Sequence, residues 1–119
     1  MERMMEIGAG RSRVAMEWHF IGEDLAITVT GGEAPHIGAA ALAFKRDGIV
    51  TVSSLTVPGH REEELASACA ETLCRATGHT TLVSCGIHID SATPWEIGLL
   101  CDHVRLLERK LWDILLNGE

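Results

Sequence analysis

The sequence predicts an α+β domain: an antiparallel β-sheet with two helices added, in the order β-β-β-β-α-β-α. Three observations lead there. The first half alternates apolar and polar residues at period two, cut by turns rich in Gly and Asp. Near Arg61 the apolar spacing lengthens to a helical period. The stretch Thr93-Pro94-Trp95-Glu96 reads as a capping box with Pro in the first turn, opening a second, longer helix. Consecutive hairpins imply antiparallel pairing, and helices gathered behind the strands imply α+β.

Residues 14–20 have strand composition, and Ile21-Gly22-Glu23-Asp24 forms a turn. Leu25, Ile27 and Val29 alternate with Ala26, Thr28 and Thr30, so the next run is a half-buried strand and the pair a hairpin. Gly31-Gly32 breaks the pattern. Residues 37–44 follow as a strand of unusually small side chains: Gly38, Ala39, Ala40, Ala41 and Ala43. Asp47-Gly48 centres a second hairpin turn. Residues 49–57 are rich in β-branched residues, as a strand requires. Leu65, Ala68, Cys69, Thr72, Leu73 and Ala76 then line one face of a helix that Gly78 closes. Residues 80–89 make the fifth strand. The last helix runs to about Leu116 and is apolar on two sides. Its main face is Ile97, Leu100, Cys101, Val104, Leu107, Leu111 and Ile114; the second is Trp95, Leu99, Leu106 and Leu116. A second apolar face invites a partner, and a homodimer is expected.

Composition sets the class. The chain has 119 residues, with 46% apolar and 23% charged, which is one domain's worth of sequence and too apolar for disorder. Residues 1–12 read as a mobile N-terminal arm and 13–119 as a single domain. The net charge of −7 and the absence of a basic run disfavour nucleic acid, whose phosphates dominate such affinities. No stretch approaches the ~20 apolar residues of a membrane span. The N-terminus lacks the apolar core of a secretory signal. Cys69, Cys74, Cys85 and Cys101 form no Cys-x-x-Cys, so they read as reduced thiols in a cytoplasmic protein.

Chemistry-bearing residues cluster at three predicted strand or helix ends. These are Gly31-Gly32-Glu33-Ala34-Pro35-His36-Ile37-Gly38, Pro58-Gly59-His60-Arg61-Glu62-Glu63, and Gly86-Ile87-His88-Ile89-Asp90-Ser91-Ala92-Thr93. Each holds one His, a residue that shuttles protons, binds metal or hydrogen-bonds a polar ligand. Gly lets a ligand approach the backbone closely. The helix start at Gly59-His60-Arg61 offers free N–H groups to an anion such as a phosphate, although Glu62, Glu63 and Glu64 compete for the same dipole. His36, His60 and His88 with Glu33 or Asp90 would also make a zinc or iron set, the basis of an alternative reading as a small metal-dependent enzyme. A third reading is a pure assembly or interaction module. No Gly-x-Ser-x-Gly, Gly-x-Gly-x-x-Gly or phosphate-loop motif is present.

The runs TGGEAPHIGAAALA (residues 30–43), VPGHREEELA (57–66) and GIHIDSATPWEI (86–97) resemble the prenylated-flavin chaperone family typified by the small D subunit of gallate-type hydroxyarylic acid decarboxylase systems. The resemblance covers roughly residues 14–116. It implies the fold of proteasome assembly chaperones, a small dimerising sheet flanked by two helices. It also implies a non-catalytic accessory protein that binds prenylated flavin mononucleotide, made by a flavin prenyltransferase, and delivers it to a UbiD-like aromatic acid decarboxylase. The positions carried over as cofactor-binding are Gly31, Gly32, Glu33, His36 and Gly38, then Gly59, His60 and Arg61, then Gly86, His88 and Asp90. On this reading the small residues Gly38, Ala40 and Gly86 leave room for a flavin ring on the sheet, with the phosphate at the Gly59-His60 helix start.

Overall fold

A computed structural model describes residues 3–59 and 62–118. Six strands form one sheet: β1 (Met4–Ile7), β2 (Val14–Ile21), β3 (Asp24–Gly32), β4 (Ala39–Arg46), β5 (Ile49–Thr56) and β6 (Thr81–His88). Helix α1 (Glu63–Thr77) lies between β5 and β6 in the chain, and α2 (Pro94–Asn117) follows β6. The spatial order is β1-β2-β3-β6-β4-β5. The predicted class holds: two helices against a mostly antiparallel open sheet.

Two features differ from the expectation. The segment expected as an arm contains β1, which pairs antiparallel with β2 from Met4↔Glu17 to Ile7↔Val14. A single 3-10 turn, Gly10–Ser12, connects them. Four residues are too few for periodicity to register. Second, the sheet is not wholly antiparallel. β6 enters between β3 and β4, parallel to β3 and antiparallel to β4. The unit β5–α1–β6 therefore crosses over β4, and β3 and β4 are not neighbours.

Both helices cover one face. α1 rests on β4, β5 and β6; α2 rests on α1 and reaches β1, β2 and β3. The single-sided core follows the strand alternation. Val14, Met16 and Trp18 on β2, Leu25, Ile27 and Val29 on β3, and Val83 and Cys85 on β6 are buried against Leu73, Leu107 and Leu111. The small side chains of β4 now have a use: Ala39, Ala41 and Ala43 are fully buried under α1, which itself presents Ala66 and Ala70. Short side chains on both sides let helix and sheet approach closely. The other face is open and carries Leu42, Leu55 and Leu82 with 40–81% of their surface exposed. Among the described residues no helix is long and apolar enough to cross a membrane.

Of the two apolar faces predicted on α2, the main one supplies the buried Leu100, Val104, Leu107 and Leu111. Trp95, Ile97, Leu106 and Leu116 stay exposed. The capping box forms as the sequence requires. The Glu96 amide donates to Thr93 Oγ1 at 3.1 Å, and the Thr93 amide donates to Glu96 Oε1 at 3.0 Å.

Candidate functional site

The β3–β4 connection and the β6–α2 connection leave the same end of the sheet because β3 and β6 run parallel and end together, Gly32 opposite His88. That register brings the first and third His-bearing segments side by side. The rings of His36 and His88 sit edge to face with centroids 6.3 Å apart. The Glu33 amide donates to the His88 carbonyl at 2.7 Å, and the Asp90 amide donates to Glu33 Oε1 at 2.9 Å. His88 Nε2 lies 3.0 Å from Asp90 Oδ1.

The second segment arrives through Glu62, at the start of α1. Its Oε2 lies 2.8 Å from His36 Nε2, and its residue surface is only 8% exposed. The other nitrogen of His36 lies 2.9 Å from the Ala34 carbonyl. A buried carboxylate needs a hydrogen-bonded partner, and His36 provides one. Gly59 borders the same hollow as His88. His60 and Arg61 lie outside the described residues.

The glycines have a different role from the one expected of Gly38 and Gly86. A Cβ on Gly86 would collide with the His36 carbonyl, and one on Gly38 with the Glu62 carboxylate. The space that a ring was expected to use is filled by the protein's own polar atoms. Gly31 and Gly32 similarly back onto the Arg13 and His88 carbonyls. These glycines let two connections and a helix start close onto the sheet end.

Arg11 holds the corner from outside, and the sequence reading did not single it out. Its Nε donates to Glu96 Oε2 at 2.9 Å, its Nη1 to Glu33 Oε1 at 3.0 Å, and its Nη2 to the Asp90 carbonyl at 2.8 Å. One guanidinium thereby ties the 3-10 turn, the β3–β4 connection, the β6–α2 connection and α2 together. The hydrogen bond from Arg11, with that from the Thr93 backbone, lowers the Glu96 carboxyl from its ordinary 4.5 to about 2. Only the fold discloses this role, because its three partners are 22, 79 and 85 residues away.

Beside the corner opens a cleft of about 900 Å³ between α1 and α2. Its apolar walls include Leu65, Ala68, Ile89, Ile97, Leu100 and Val104, and His88 stands at one end. The carboxylates of Glu62, Glu64, Glu71 and Glu108 line it, against Arg105 as the one Arg or Lys among the described lining residues. Burial raises the Glu108 carboxyl, which accepts from the Cys69 thiol. Burial also holds Cys69 well above its usual value and takes Cys85 to about 12, so neither supplies a thiolate near neutral pH. Among the described residues no group of three or more His, Cys, Asp or Glu side chains is placed to hold a metal ion.

The cleft is thus of ligand size and lined by both apolar and charged side chains. A family-level sequence profile, described as the prenylated flavin chaperone LpdD-like domain, matches residues 8–115. A comparison with curated protein sequences finds no significant match. Among solved structures, a chain from a chaperone complex for yeast 20S proteasome assembly is similar in fold, with a TM-score of 0.54 at 10% identity; the match covers 92% of this chain and 98% of that one. The profile spans nearly the whole chain, and the chain belongs to the prenylated flavin chaperone LpdD-like family.

Proposed function

We propose that this member of a prenylated flavin chaperone family is a carrier. It takes prenylated flavin mononucleotide from a flavin prenyltransferase, shields it in the α1–α2 cleft, and releases it to a UbiD-like aromatic acid decarboxylase in the cytoplasm. The observation that carries this reading is the cleft itself: about 900 Å³, with apolar side chains of both helices and the imidazole of His88 among its lining residues. A flavin ring is flat and apolar across its faces, while one edge carries an N–H donor flanked by carbonyl acceptors. Apolar side chains such as Leu65, Leu100 and Val104 suit the faces and the prenyl group. His88, which lines the cleft, supplies a hydrogen-bonding group for the polar edge. The chemistry of the bound flavin belongs to the enzyme that receives it; the residues here bind, orient and exclude water. A carrier favours modest affinity, because slow release would limit transfer.

A homodimer remains part of this proposal. Two surfaces support a protein contact: the open sheet face with Leu42, Leu55 and Leu82, and the outer side of α2 with Trp95, Leu106 and Leu116. The latter also suits docking on the recipient enzyme.

The test is activation of a purified apo UbiD-like decarboxylase at limiting prenylated flavin mononucleotide. The wild-type chain is expected to speed formation of active holoenzyme and to bind the cofactor directly. His88→Ala, at a half-exposed residue that lines the cleft, should weaken both while leaving the circular dichroism spectrum unchanged. A chain that neither binds the cofactor nor speeds activation would overturn the reading.

A further inference from the structure

The sheet face turned away from the helices is not composed like a surface meant for water. Strand register sets its side chains in rows. Ala26, Leu82 and Leu42 stand side by side on β3, β6 and β4. Thr28, Ser84 and Ala40 make the next row. The β5 positions that continue these rows are Ser53 and Leu55. None of these residues is charged, in a chain whose composition is 23% charged. Charge on this face stands at its rim, with Glu17 on β2, Asp24 at the start of β3 and Arg46 at the end of β4. A sheet face left in water ordinarily turns polar residues outward, whereas an uncharged centre within a charged rim is the anatomy of a protein interface. The outer side of α2 lacks that continuity. Leu106 has Asp102, Arg109 and Lys110 one turn away, and Trp95 lies about three turns from it.

We infer that the open sheet face seats a second copy of this chain, so that two sheets stack about a two-fold axis with both helix layers outside. The row Ala26-Leu82-Leu42 is its own complement. A two-fold axis running along the strands beside Leu82 exchanges the β3 and β4 sides, and so lays Leu42 of each copy over the small Ala26 of the other. An uncharged contact also lets a chain of net charge −7 meet itself without opposing like charges at the centre. The area suffices. Five strands of eight or nine residues, spaced about 4.8 Å apart, give about 600 Å² of plan area per copy. Two copies thus bury about 1,200 Å² or more, which enters the range of specific, stable interfaces. This deepens the homodimer part of the reading above by choosing between its two surfaces, and it does not depend on the cargo. Stacked in this way, each copy keeps its α1–α2 cleft on the outside, and the outer side of α2 stays available to the recipient enzyme.

Sedimentation equilibrium of the full chain over a concentration series tests this. Wild type should dimerise. Leu82→Glu sets a carboxylate against its symmetry mate and should weaken the dimer on the order of 100-fold or more. Its circular dichroism spectrum should not change, because Leu82 is exposed in the single chain. Trp95→Lys with Leu106→Lys should leave the dimer constant within about threefold. Leu82→Cys in a Cys101→Ser background should cross-link to its twin with a short bis-maleimide, a readout that holds even where Leu82→Glu fails to fold; the remaining cysteines are buried.

A dimer that persists in Leu82→Glu and is lost in the α2 variant would overturn the choice of face and keep the homodimer. So would a dimer in which Leu82→Cys gives no cross-link. A wild-type chain that stays monomeric would overturn the inference and the homodimer together; if Leu82→Glu then abolishes activation of an apo UbiD-like decarboxylase, the face belongs to that enzyme instead. An intact dimer, cross-linked through Leu82→Cys, that binds no flavin would overturn the carrier reading and bear out this inference.

Discussion

The His-bearing corner and the neighbouring cleft are built on opposite principles. At the corner the protein's own polar atoms fill the space beside the glycines: Gly38 and Gly86 admit the Glu62 carboxylate and the His36 carbonyl, and Arg11 bonds three residues. The cleft is open, and ordinary helix-face residues line it. The sequence draws the eye to the corner, where Gly, His and acids crowd into short runs. Much of that crowding is architecture, which holds two connections and a helix start on one end of the sheet. The volume that a ligand would fill comes from the gap between two helices, whose residues look unremarkable in a sequence.

The largest effect that would sharpen this contrast is on the corner. Gly86→Ala should cost about 2–3 kcal/mol in urea unfolding, because the new methyl meets backbone on a connection that cannot give way cheaply. A stability equal to wild type would mean the corner is looser than its contacts imply. The opposite sign is expected across the cleft. Gly98 sits inside α2 with nothing within 4 Å of an added Cβ. Gly98→Ala should therefore stabilise by about 0.5–1 kcal/mol through the lower entropy of the unfolded chain and better helix propensity. A loss of stability there would place an unseen neighbour against that face of α2.

The smallest effect is a pH dependence of the corner's outer clasp. Glu96 has a folded pKa of about 2 against an ordinary 4.5. A depressed carboxylate contributes stability that is fully present above the unfolded value and declines as pH falls towards the folded one. Wild type should therefore lose stability between about pH 5 and pH 2 more steeply than Glu96→Gln, with the two curves parallel above that window. Parallel curves throughout would show that Arg11 does not hold Glu96 in solution. The protection of the Asp90 amide relative to its intrinsic exchange rate should fall in the same acid range, because its acceptor Glu33 shares the guanidinium.

Much of the fold could be read from local pattern. The alternation of Leu25, Ile27 and Val29 gave a strand and its buried side together. The Thr93 capping box marked the start of α2 to the residue. Gly78 marked the end of α1, where it adopts the left-handed conformation at φ 79. β1 escaped notice, since its four residues show no period. Glu62 was legible only as an acid near a helix start; its bond to His36 joins residues 26 apart. Nothing in the sequence marked Glu108 and Arg105 as cleft residues, because both lie on a helix flank that solvent or a partner could equally have covered.

By itself, then, the chain determined which segments other than β1 are strands and helices and which side of each is apolar. Those choices rest on turn chemistry, caps and periodicity, all decided within a few residues. The tertiary structure decided that β6 lies between β3 and β4, parallel to β3, and so set His88 beside His36 and opened the cleft between α1 and α2. Strand partnership depends on how α1 crosses the sheet and buries the alanines of β4, a cooperative choice among distant surfaces that no local pattern encodes.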